Sequence, residues 1–69
     1  MDKTTELYNF LKINLVDTGF ITIETLDQEC NIHGYNVSTL EDLLFYHTSW
    51  RDLDQAQEAL DDGDFYSNM

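Results

Sequence analysis

The sequence predicts a small α+β domain over residues 1–69: an amino-terminal helix, a short β-hairpin and two carboxy-terminal helices. Three observations lead there. Apolar residues recur at helical spacing in two separate stretches. Between them the chain is rich in β-branched and aromatic residues. Capping patterns headed by serine open the last two helices. The middle segment also has a rival helical reading, which would make the chain an all-α small helical bundle.

The first helix is expected over 4–15, where Leu7, Phe10, Leu11 and Leu15 fall on one stripe. Thr4 or Thr5 can cap it, and Asp17-Thr18-Gly19 ends it, with glycine free to take a positive φ. Segment 19–37 holds Phe20-Ile21-Thr22-Ile23-Glu24-Thr25 and then Cys30-Asn31-Ile32-His33-Gly34-Tyr35-Asn36-Val37, both poor helix material. The preferred reading joins them as a hairpin through Asp27-Gln28-Glu29, although no Asn-Gly or Asp-Gly pair marks the turn. The rival is a short helix capped by Thr22, with Ile23, Leu26 and Cys30 on one face. Ser38-Thr39-Leu40-Glu41 reads as a capping box for a helix over 38–48, followed by Leu40, Leu43, Leu44 and His47 at helical spacing. A weaker box, Ser49-Trp50-Arg51-Asp52, opens a helix over 50–62 with Trp50, Leu53, Ala56 and Leu60 facing inward. Gly63 closes it. The tail, 64–69, is expected to fray unless Phe65 docks.

A chain of 69 residues holds one domain, and one this short buries only about 60% of its unfolded surface. Hydrophobic residues make up 42%, enough to fold. Fourteen acids face three bases, for a net charge of −11. In residues 1–16, Asp2 and Glu6 cancel Lys3 and Lys12, so the whole −11 falls on 17–69, where Arg51 is the one base. Phosphate backbones and anionic membrane surfaces both demand Lys and Arg, so direct binding to either is not expected. No apolar run approaches the roughly 18 residues of a membrane span, and Met1-Asp2-Lys3-Thr4-Thr5-Glu6 does not read as a signal peptide. A cytoplasmic protein is the expectation.

Catalytic and metal chemistry find little footing. Cys30 is the one cysteine, so no internal disulfide forms. Cys30 and His33 are spaced C-x-x-H, but His47 is the one further candidate of that kind and structural zinc takes four ligands. Asp61-Asp62-Gly63-Asp64 lacks the ligand spacing and closing glutamate of a calcium loop. No nucleophile elbow frames a serine, and three scattered glycines build no phosphate loop. The expectation is a non-enzyme without metal or cofactor.

The acids of the last helix carry the functional signal. Asp54, Glu58, Asp61 and Asp62 lie at about 0°, 40°, −20° and 80° around the helix, opposite Leu53 and Leu60. Like charges at i, i+4 destabilise a helix, and Asp61 and Asp62 oppose the macrodipole at its C-terminus. Breaking two local rules without a structural gain points to function. Four residues rise about 6 Å, so such carboxylates are spaced much like phosphates along one nucleic-acid strand. Glu41, Asp42, Asp52 and Asp64 could extend the track. Phe45, Tyr46, Trp50 and Tyr66 exceed what two short helices need; some could anchor an interface, while most are expected in the core.

The plan resembles the small acidic DNA-mimic inhibitors encoded by phages and mobile elements. The stretch from Leu43-Leu44-Phe45 through Trp50 to Asp64-Phe65-Tyr66-Ser67-Asn68-Met69 is similar to type II-A anti-CRISPR inhibitors of the listerial kind. Glu29-Cys30-Asn31-Ile32-His33-Gly34-Tyr35, followed by Ser38-Thr39-Leu40-Glu41, resembles antirestriction proteins of the ArdA kind, with Gly34 in place of the acid of their Ile-His-Asp-Tyr pattern. The resemblance implies an inhibitor that imitates nucleic-acid charge. It would block the basic DNA- or RNA-binding site of a partner: a CRISPR effector, a restriction enzyme or other nuclease, or a transcription regulator. The alternative is a small regulatory module that binds a protein through an apolar and aromatic face, its acidity serving solubility.

Overall fold

A computed structural model describes residues 2–67 and is all-helical: among the described residues there is no strand. Four α-helices follow in order: α1 (Lys3–Leu11), α2 (Ile23–His33), α3 (Val37–Thr48) and α4 (Leu53–Asp62). The expected hairpin is therefore wrong, and the α+β class with it; the all-α bundle is the fold. The rival reading of the middle segment holds, with Thr22 as N-cap accepting the Thr25 amide at 3.1 Å. Leu26 is buried on α2 and Ile23 and Cys30 pack beside it. Packing against the core has overridden the β propensity of the segment. Phe20 and Ile21 form the bend that enters α2, with Ile21 buried, and Ile32 is left exposed on its outer side.

Each helix starts on a side-chain acceptor, but not always on the residue expected. Asp2, rather than Thr4 or Thr5, caps α1 by accepting the Thr5 amide at 2.8 Å. That bond holds the Asp2 carboxyl below its usual range. Asn36, not Ser38, caps α3, its Oδ1 accepting the Thr39 amide at 2.9 Å. Asp52, not Ser49, caps α4: Oδ1 takes the Gln55 amide at 2.8 Å while Gln55 Oε1 accepts the Arg51 amide at 2.7 Å. Ser49 instead takes the left-handed conformation that ends α3, at φ 68°. Each of these caps is of a type that favours a helix start, and each lies two or three residues from the position the sequence suggests.

α1 does not stop at Leu11. It widens into a π-helical turn over Lys12–Val16, in which the Asp17 amide reaches back five residues to the Lys12 carbonyl. Side chains occupy the loosened carbonyls: Asn14 Nδ2 donates to Phe10 O at 2.9 Å, and Thr18 Oγ1 donates to Asn14 O at 2.8 Å. The wide turn keeps Leu15 fully buried beside Leu7, Phe10 and Leu11. These side chains meet Leu26, Leu40 and Leu44 in a single core.

The segment after α4 is ordered by that core. The Asp64 amide bonds Ala59 O at 2.8 Å and the Gly63 amide bonds Leu60 O at 3.2 Å, the paired bonds of a Schellman motif, with Gly63 at φ 81°. Phe65 then docks at 1% exposure, edge-on to Phe10 with ring centroids 5.4 Å apart. Trp50 Nε1 donates to Phe65 O at 2.9 Å, and Tyr66 Oη donates to Asn14 O at 3.1 Å. Residues 68–69 of the tail lie outside the described residues. Phe45, Tyr46 and Tyr66 are exposed and Trp50 is half-buried, so these four aromatics are not core as most were expected to be.

Candidate partner-binding surface

α4 turns a narrow inner face to the protein. Ala56 and Ala59 are buried, and Trp50, Leu53 and Leu60 pack partly against the core. Small inward residues let the helix lie close while everything else on it is polar. Asp54, Glu58, Asp61 and Asp62 are all exposed. Gln57 Nε2 approaches Asp61 Oδ1 at 3.5 Å, among the described residues the one polar side-chain contact on this row. Among the described residues the one ion pair is His33–Glu29, at 3.3 Å on α2. Among the described residues the acids of α4 therefore have no cationic partner.

The eight acids expected to act together are divided by the structure. Glu58 and Asp62 stand one turn apart, and the Schellman turn brings Asp64 back beside them. With Gln55 and Ala59 these three carboxylates border a shallow recess of about 300 Å³ over Trp50. Asp54 and Asp61 continue the exposed face along the helix. Asp52 is half-buried and engaged as the cap of α4, so it holds the helix in place. Glu41 and Asp42 belong to α3; Asp42 faces a different cavity, between α2 and α3.

That cavity, of about 600 Å³, carries groups the sequence reading did not assemble. Glu29 and His33 line it from α2, and Asp42, Tyr46 and His47 from α3. The i, i+4 spacings Glu29/His33 and Asp42/Tyr46 were available as a signal. Reading the segment as a hairpin put Glu29 and His33 on a turn and a strand, which dissolved the row. Burial pushes the His47 imidazole below its ordinary value, favouring the neutral form. Tyr46 stands over it edge-on, ring centroids 5.0 Å apart, and is 83% exposed.

The remaining candidates have structural settings. Cys30 is half-buried, and burial, with Asp27 and Glu29 nearby, pushes its thiol up, away from the reactive thiolate. Among the described residues no three His, Cys, Asp or Glu side chains gather to hold a metal ion. No described helix is long and apolar enough to cross a membrane. Comparison of the chain with family models, curated proteins and solved structures finds no match.

Proposed function

We propose that this protein is a non-enzymatic inhibitor that imitates nucleic-acid charge and occupies the basic DNA- or RNA-binding site of a partner in the cytoplasm. A CRISPR effector, a restriction enzyme or a transcription regulator would present such a site. The observation that carries the reading is the outer face of α4: Asp54, Glu58, Asp61 and Asp62 are exposed and, among the described residues, have no cationic partner. Unpaired carboxylates on a rigid helix are pre-organised to meet lysines and arginines that follow a phosphate backbone.

The test is competition. The immobilised protein is offered to a host lysate and the retained nucleic-acid-binding protein is eluted with duplex DNA. Elution by DNA, and steep loss of binding between roughly 0.1 M and 0.5 M salt, are expected because screening reaches about 8–10 Å near physiological ionic strength. Neutralising the row with Asp54→Asn, Glu58→Gln and Asp61→Asn should weaken binding at least tenfold, since desolvated charge pairs at interfaces couple by about 1.5–7 kcal/mol. Salt-insensitive binding that survives the triple variant would overturn the reading.

That outcome would favour the second reading, a regulatory module binding through aromatic groups. The observation in its favour is the exposure of Phe20, Tyr35, Phe45 and Tyr46, large side chains that a small monomer has little reason to leave in water.

A further inference from the structure

The cleft between α2 and α3 differs in kind from the convex face of α4. It is concave, about 600 Å³, and its lining contains two carboxylates, Glu29 and Asp42, contributed by different helices. No Lys or Arg lines it. The other titratable groups facing it are His33 beside Glu29, and His47 and Tyr46 on the α3 side. The lining thus holds two carboxylates and no fixed cation. The Tyr46 ring at 83% exposure offers a flat face, braced edge-on by His47. A planar cation with several N–H donors matches this set: its plane stacks on the tyrosine and its donors reach the carboxylates.

We propose that the α2–α3 cleft binds the guanidinium group of an arginine side chain on a basic partner. The inference shares with the proposed function only the premise of a basic partner. It uses different helices and can fail separately.

The full-length chain, labelled with ¹⁵N, is titrated at low salt with N-acetyl-arginine amide, and with N-acetyl-citrulline amide as the uncharged isostere. Saturable amide shifts are expected at Glu29, His33, Asp42, Tyr46 and His47 with the arginine probe and none with citrulline. Glu29→Gln with Asp42→Asn should abolish the shifts; should that pair melt early, Asp42→Asn alone at an exposed position must still weaken them several-fold. Equal response to citrulline, shifts confined to Asp54 and Glu58, or binding that survives these variants would overturn the proposal.

Discussion

α1 and α4 are similar in length and opposite in construction. α1 and its π-helical extension bury Leu7, Phe10, Leu11 and Leu15, and with the cap Asp2 their charges cancel. α4 buries two alanines, and its outer face is uncompensated acid. A helix with so little apolar area beneath it gains little from its own packing. It is held at its ends instead. Asp52 and Gln55 fix the start, the Schellman turn fixes the finish, and Phe65 and Trp50 tie the following segment to Phe10. One helix builds the core, and the other is displayed by attachments outside its own body.

The comparison breaks most clearly at Phe65. Phe65→Ala should cost about 3–5 kcal/mol, as large-to-small core changes at phenylalanine do. A domain this small has about that much to lose. Thermal melting should show a largely unfolded chain, although the substitution lies outside every helix. A variant that melts within a few degrees of the parent would show that α4 does not depend on this anchor.

Removing the cap is a gentler test. Asp52→Ala should lower stability by about 1 kcal/mol and loosen α4 more than α1, which amide exchange can resolve. Equal loosening of both helices would deny that α4 is held by its ends.

The α1 side is probed by pH. Tyr8 Oη donates to Asp27 Oδ1 at 2.7 Å, and this bond, with burial, pushes the Tyr8 phenol up to about 12. A group that loses its proton later in the folded state stabilises that state fully below the unfolded value, near 10, and the contribution fades as pH rises toward 12. One tyrosine should therefore titrate late by ultraviolet absorbance, and Asp27→Asn should return it toward the others. The effect on melting should be modest, because the pair lies near the surface.

The smallest effect has the opposite sign. The triple neutralisation of Asp54, Glu58 and Asp61 should leave melting unchanged or raise it by tenths of a kcal/mol, since it relieves like-charge repulsion along α4 and, at Asp61, opposition to the dipole. Glu6→Gln is the proper control on α1. Asp2 is not, because it caps that helix. Lower melting in the triple variant would assign those acids a structural role.

What could be read in advance follows from how locally each feature is encoded. The stripe Leu7, Phe10, Leu11 and Leu15 and the terminator Gly63 are local signals, and both hold. The caps slipped because several Ser, Thr, Asn and Asp residues compete at each start, and three-dimensional entry angle chooses among them. The middle segment differs for a non-local reason: Ile23 and Leu26 become helical by packing on α3 and the π-helical turn, which no short window contains. Of the candidate site, the exposed α4 row was legible from helical angles alone. The return of Asp64 beside Glu58 and Asp62 was not, because it depends on the Schellman turn, and the α2–α3 cleft was lost with the hairpin.

The bond from Tyr66 to the Asn14 carbonyl spans 52 residues of sequence. It has a consequence for the chain during synthesis. With Phe65 filling the floor under Phe10, the core lacks this large side chain until residue 65 has been translated. Emerging α1 and α3 must therefore stay soluble with Phe10 uncovered, and the acids of residues 17–64 give the unfinished chain the mutual repulsion that keeps neighbouring nascent copies apart.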